Sequence, residues 1–295
     1  MAKARVTKQS KSRVTERVEV QSKSRIKHRV EKVAKSRRPL KVSDHKYSRG
    51  VVAIIAGSKK YPGAGVLTVG GARRGGVGYV KYINKNSEAT LLVLQQFPDV
   101  VPINDLHNER VDALVVGPGA TTIKALPAAI PVVLDSGALS LARESRTRRD
   151  PNQIIVVTPH EGELKNLGFS IAENAALTSP LNEARDQARI ETAQRIADQL
   201  NVIVVLKGHR TVIAAPHCTP TIDTLGGPEL AVAGSGDILA GLIGAFLASW
   251  KPTNFQEAQN TVLAAVQLHS QAGNHAAKSH SAVVATDILE SLAHC

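Results

Sequence analysis

The chain is 295 residues long, enough for one large α/β domain or two small ones, and its formal charge of +12 is confined to one end. Residues 1–41 carry 15 Lys and Arg against three Glu, which leaves 22 basic and 22 acidic residues in the remainder. A neutral body has no electrostatic footprint for nucleic acid, and two cysteines without paired spacing, Cys218 and Cys295, exclude a disulfide framework or a Cys-x-x-Cys zinc site.

The basic segment 1–41 repeats a loose Ser-Lys-Ser-Arg pattern, at Ser10–Arg13 and Ser22–Arg25, with few large apolar residues. It reads as a disordered or transiently helical tail. Nucleic acid or a membrane surface could be held only electrostatically, through this tail. It has no apolar stretch of the secretory type, and Glu16, Glu19 and Glu31 argue against an Arg- and Ser-rich presequence. A translation start annotated too far upstream would also explain it. A cytoplasmic protein is expected, with residues 42–295 forming the domain.

From Val51 onward the pattern alternates between β and α. Short apolar runs at 51–56, 111–116, 131–134, 154–157 and 202–206 are rich in Val and Ile and end at Gly, Pro or Asp. Such runs suit strands buried on both faces of a parallel sheet. Leu181–Leu200 places Ile190, Ala193, Ile196, Ala197 and Leu200 on one helical face, and Gln256–Ala277 reads as a second long helix. The architecture predicted is a doubly wound α/β layer structure with a mostly parallel central sheet. The apolar stretch Leu230–Trp250 approaches membrane-spanning length but contains Asp237 and several glycines and serines, so a buried helix after a tight loop is predicted and no membrane span.

That loop, Gly234-Ser235-Gly236-Asp237, carries the most chemistry. Its glycines let successive N–H groups converge on an anion at the start of the following helix. Asp237, the lone acid there, could take a proton from a hydroxyl while the N–H groups stabilise a transferring phosphoryl. Taken alone, the motif reads equally well as a capping aspartate after a flexible turn. The other chemistry-bearing segments also follow strands, where ligands bind in sheets of this kind. They are Gly57-Ser58, Gly117-Pro118-Gly119, Asp135, Thr158-Pro159-His160 and Lys207-Gly208. Each has a plainer reading: a turn glycine, a capping histidine, a solvated lysine. Asp135 suits backbone capping and is placed outside the site.

Taken in order, Gly57-Ser58…Tyr61-x-Gly63-Ala64, Gly117-Pro118-Gly119, Val133-Leu134-Asp135, Thr158-Pro159-His160-x-Gly162-Glu163, Leu206-Lys207-Gly208-x-x-Thr211 and Gly234-Ser235-Gly236-Asp237 resemble the ADP/ATP-dependent NAD(P)H-hydrate dehydratases, over about residues 42–292. The resemblance implies a ribokinase-like three-layer fold and a cofactor-repair reaction. In it, water is removed from the S epimer of C6-hydrated NADH or NADPH (NADHX or NADPHX) at the expense of ADP or ATP, with Mg²⁺ on the nucleotide and no metal held by the protein's own side chains. It assigns catalysis to Asp237. Substrate contact falls to Ala64, Gly119, His160 and Asp237, and nucleotide contact to Lys207, Gly208, His209, Arg210, Thr211, Gly234, Ser235 and Gly236. A homo-oligomer, a tetramer in the family, is implied. Only about 41 residues precede the domain, so a separate epimerase acting on the same hydrate is expected.

The sequence departs from the family pattern at four places. Ser235 replaces Thr, Glu161 replaces Pro, Ser136-Gly137 replaces Ala-Asp, and His209-Arg210 replaces small residues, which points to backbone contacts there. A small-molecule kinase of the same superfold is the alternative enzyme; a protein acting only through its basic tail is the alternative of another class.

Overall fold

A continuous Val/Ile run cannot alternate wet and dry faces, so it must be covered on both sides. The computed structural model, which describes residues 37–119, 123, 125–171 and 183–295, satisfies this with a mostly parallel sheet between helical layers. In chain order the elements begin β1 (Val51–Ile55), α1 (Pro62–Arg74), β2 (Tyr79–Tyr82), α2 (Ser87–Gln96), β3 (Val101–Pro102) and β4 (Ala113–Val116). They continue with β5 (Val132–Leu134), α3 (Leu141–Glu144), β6 (Ile155–Val157), α4 (Glu183–Leu200), β7 (Ile203–Leu206), β8 (Thr211–Ala214) and β9 (Thr221–Asp223). The last are α5 (Ser235–Trp250), α6 (Phe255–Ser279) and α7 (Ala285–Ser291).

The strand order is β3-β2-β1-β4-β5-β6-β7-β8-β9. The pairs from β3 to β7 are parallel, and β8 and β9 add an antiparallel ribbon at one edge. Alternate residues of one strand enter different cores. Val52 and Ile54 face a cluster shared with α1, α5, α6 and α7, whereas Ala53 and Ile55 face one shared with α3 and α4. The three-layer ribokinase-like arrangement expected from the sequence is present. The five strands read from sequence appear, four of them begun one or two residues later than their apolar runs, and α6 is slightly longer than its pattern. Residues 181–182 of the predicted helix lie outside the described residues, as does the tail up to residue 36. Residues 37–41 belong to the same compact unit as the domain, where Arg37 donates to the carbonyls of Arg74, Leu292 and Cys295.

Helices α1 and α5 pack with their backbones almost touching. A Cβ built on Gly71 would stand 2.2 Å from the carbonyl oxygen of Ile238, and one on Gly241 would stand 1.9 Å from that of Thr68. The contacts advance together along both helices, Gly234 against Leu67, Gly71 against Ile238, Gly75 against Leu242 and Ala245. The two helices therefore run in the same sense, and their N-termini emerge at one edge of the sheet.

Gly71→Ala should lower the denaturant midpoint by the equivalent of about 1–3 kcal/mol, because the new methyl meets backbone that cannot rotate away. Gly63→Ala is the control, since nothing lies within 4 Å of a Cβ there. Equal midpoints for the two variants would show that the helices part without cost.

Candidate functional site

Gly234 takes φ +91°, a left-handed conformation open to glycine and strained for other residues. It turns the chain into α5, whose first turn has no side-chain cap; Ser235 N–H donates to the Val232 carbonyl at 3.3 Å, while the N–H groups of Gly236 and Asp237 remain available to an anion. Ser235 points inward, its hydroxyl 3.2 Å from Nε2 of the buried His269 on α6. Burial keeps that imidazole neutral, its pKa pushed down to about 4. Asp237 follows in the first turn, and among the described residues its carboxylate has no hydrogen-bond or ion-pair partner.

Beside this helix start opens a cavity of about 610 Å³. The predicted residues His160, Lys207, Gly208, His209, Thr211, Ser235 and Gly236 line it, with Gly226–Pro228, Leu230–Val232 and the α6 residues Val266, His269 and Ser270 on other walls. Ser270 donates to the buried Asp223 at 2.6 Å, and Asp223 accepts from the N–H of Leu225, which fixes the loop leading into that wall. Its size suits a nucleotide, and its apolar patches, Leu230, Leu239 and Val266, suit the face of a heterocycle.

The strand ends bring three carboxylates around one ammonium. Lys207 bridges to His160 in the parallel register of β7 and β6. Its Nζ lies 2.9 Å from Oδ1 of Asp135 and 3.8 Å from Oε2 of Glu163. Burial alone would lower the pKa of this ammonium, but the charges of Asp135 and Glu163 outweigh it and hold the value above that of an ordinary lysine. Burial first, then the charge of Asp135, push the Asp237 carboxyl up to about 7; Lys207 opposes the rise and Glu163 adds to it. Asp135, placed outside the site on sequence grounds, thus holds the lysine inside it.

A second residue missed from sequence is Arg189 of α4, which is buried. Its guanidinium donates to the carbonyls of Leu206, Lys207 and Arg210 and pairs with Glu161 at 3.1 Å. It thereby clamps the Lys207–Arg210 turn, and Glu161, the departure from the family's proline, gains Arg185 and Arg189 as partners. The Arg210 side chain turns away to Asp186, 2.9 Å from its carboxylate and outside the cavity lining, so only its backbone stays with the turn. His160 caps the turn that follows it, its Nδ1 accepting from Gly162 N–H at 3.0 Å, with more than half of the side chain exposed.

Ala64 and Gly119 sit in a separate, crowded contact. Gly119 has φ +77°, and a Cβ on it would lie 2.9 Å from Cβ of Ala64 and 3.0 Å from Cα of Gly57. The ends of β1 and β4 meet here, with Gly57 N–H donating to the carbonyl of Pro118 at 2.8 Å. Gly234 packs on Leu67 of α1, one turn beyond Ala64, and the next residues, Ser235 and Gly236, line the cavity, so the helix start that carries Asp237 lies beside both. Among the described residues no group of three or more His, Cys, Asp or Glu could hold a metal, and no helix is long and apolar enough to cross a membrane.

The family model described as NAD(P)H-hydrate dehydratase matches residues 52–294. The bifunctional NAD(P)H-hydrate repair enzyme Nnr of Corynebacterium glutamicum is 38% identical over 222 residues, which are 70% of this chain and 37% of that protein. The chain thus spans less than half the length of the bifunctional relatives it matches. The ADP-dependent (S)-NAD(P)H-hydrate dehydratase of Bacillus subtilis is 31% identical over 255 residues, 81% of this chain and 85% of that one. A crystal structure of the ADP/ATP-dependent NAD(P)H-hydrate dehydratase from Bacillus subtilis, co-crystallised with ATP and Mg²⁺, superposes with a TM-score of 0.70 at 27% identity, covering 90% of this chain and 95% of that one.

An acid whose pKa is raised on folding contributes stability below its unfolded value and loses it as pH rises through the folded value, here between about 4 and about 7. Asp237→Asn, which removes the cost of a buried charge, should therefore raise the thermal midpoint at pH 8 by about 3 °C or more. The gain should shrink to roughly a fifth of that near pH 4.5. Thermal melts at the two pH values check this, and an equal difference at both would mean that Asp237 does not titrate in this range.

Proposed function

This chain belongs to the NAD(P)H-hydrate dehydratase family, and from that premise we propose that it removes water from the S epimer of C6-hydrated NADH or NADPH, using ADP or ATP. The observation that carries this reading is the unpartnered Asp237 carboxylate at an uncapped helix N-terminus, flanked by a nucleotide-sized cavity. A base whose pKa lies near neutral is more basic than an ordinary carboxylate and still substantially ionised at physiological pH, so it can accept a proton in the transition state.

Hydroxide is a poor leaving group and phosphate a good one. Asp237 takes the proton from the C6 hydroxyl as that oxygen attacks the terminal phosphoryl of the nucleotide, forming an O–P bond and releasing a nucleotide one phosphate shorter. The N–H groups of Gly234, Gly236 and Asp237 hold the transferring group, where charge gathers in the transition state. The ring-nitrogen lone pair then expels phosphate from C6, and loss of a proton from C5 restores the dihydronicotinamide. Lys207 and the Lys207–Thr211 turn border the nucleotide, with His209 and Arg210 contributing backbone. Ala64, Gly119 and His160 border the hydrated dinucleotide, the first two by allowing close backbone approach.

A Mg²⁺ would arrive on the nucleotide's phosphates, beside the uncapped start of α5 and the unpartnered Asp237 carboxylate. Bound there, it would neutralise phosphate charge. Epimerisation of the R hydrate is assigned to a separate epimerase activity.

Asp237→Asn should retain nucleotide binding and lose about 10²–10⁴-fold in turnover; a variant within a few-fold of wild type would remove Asp237 from the base role. Hydrated NADH with Mg²⁺ and ADP or ATP should yield intact NADH, seen by its absorbance band, and inorganic phosphate, seen by phosphorus NMR. A stable phosphomonoester of another metabolite, with no conversion of hydrated NADH, would establish a kinase instead.

A further inference from the structure

Lys207 stands close under the anion loop, its Nζ 3.3 Å from the position a Cβ would take on Gly236. One residue further along lies Asp237, yet the ammonium forms its ion pairs with Asp135 and Glu163 instead. The reason lies in how Asp135 is held. Its side chain is almost wholly buried at the end of β5, and Oδ1 accepts from Thr158 Oγ1 at 2.6 Å as well as from Lys207. Oδ2 accepts from Ser136 Oγ at 2.9 Å, across a residue in the left-handed region at φ +47°. Three donors from three segments fix the carboxylate in one orientation, whereas Asp237 is fixed by none.

We propose that Asp135 is a positioning residue of this site: its carboxylate draws the Lys207 ammonium to the β5 side and so leaves Asp237 unpaired and able to accept a proton. The charge count agrees. One ammonium among three carboxylates leaves an excess of negative charge, which is relieved when the carboxylate without hydrogen bonds takes up a proton. The groups facing Asp237 are Lys207 from β7, Asp135 from β5, Glu163 from the turn after β6, and the neutral His269 of α6 behind Ser235. The facing first two turns of α1, Pro62–Val69, carry no titratable side chain. Ser136, where the family pattern has Ala, contributes one of the bonds that hold Asp135, so this chain reinforces the anchor with a side chain of its own.

The role assigned to Asp237 rests on the function proposed above, but the anchor can be tested without turnover. With carbon-13-labelled aspartate, the Asp237 carboxyl is followed by NMR through a pH titration of the full chain, its signal identified by its loss in Asp237→Asn. Asp135→Asn removes the charge, frees Lys207 towards Asp237, and should lower the Asp237 midpoint by about one pH unit or more. Lys207→Met should raise it. The acid limb of kcat/KM should move with the midpoint in Asp135→Asn, which loss of packing alone would not produce. A folded Asp135→Asn variant with an unchanged midpoint overturns the proposal. If that variant does not fold, Lys207→Met decides, and a midpoint that fails to rise overturns the proposal equally. Shifted midpoints in a protein that leaves hydrated NADH unconverted would uphold the anchor and refute the dehydratase reading.

Discussion

Two helices whose backbones touch set the geometry of this molecule. Any side chain at Gly71 or Gly241 would push α1 and α5 apart, and their separation decides how far the start of α5, with Asp237, lies from the start of α1, with Ala64. Glycine in a helix costs roughly 1 kcal/mol relative to alanine. Here close packing offsets that cost: α5 is buried along most of its length, between α1, α6 and the strands β1, β4 and β5. The Gly119–Ala64 contact continues the same logic at the strand ends, where a missing side chain permits two backbones to meet.

Within that frame, electrostatics separates two roles that sequence alone would have given to similar groups. Asp135 and Asp237 are both aspartates near the carboxyl edge of the sheet. One is saturated with donors and holds a lysine; the other is starved of them. The difference is local wiring: Thr158 and Ser136 reach Asp135, and nothing among the described residues reaches Asp237. An unsatisfied, partly buried carboxylate is a stability cost that natural proteins tolerate at functional sites. Arg189 works against that cost from the other side, tying the Lys207–Arg210 turn to α4 so that the lysine is presented from a rigid support.

The core strands were legible because burial on both faces writes itself as uninterrupted Val and Ile, and the start of α5 because glycines around a polar residue before an apolar run have few other uses. What stayed hidden depends on register between distant strands. Lys207 meets Asp135 only because β5, β6 and β7 are neighbours, a fact absent from either local sequence. Arg189 sits on a helix whose pattern marks it as merely off the apolar face. Its buried position follows from where α4 crosses the turn, as does the value of Glu161, whose partners lie more than twenty residues away. The β8–β9 ribbon escaped notice for a simpler reason: its strands open on Thr211 and Thr221 and are only partly buried at those ends, so neither shows the uninterrupted Val and Ile run that marks β4 to β7.

The glycine-packed helices and the cavity's outer wall differ sharply in how firmly they are held. Beyond its first turn α5 is buried from Ile238 to Ser249, and hydrogen-bonded amide protons in such a core helix exchange only when much of a domain opens. The turn Pro228–Leu230, on the opposite wall, has no buried residue, and segments this exposed open at a lower free energy than a core helix. A ligand spanning the cavity therefore meets a stiff surface at its charged end and a soft one at the other. Recognition of the charged end is paid in advance by folding, while fit at the other end draws on the free energy of binding, so altering the outer wall retunes which molecules are held without disturbing the place where charge is handled.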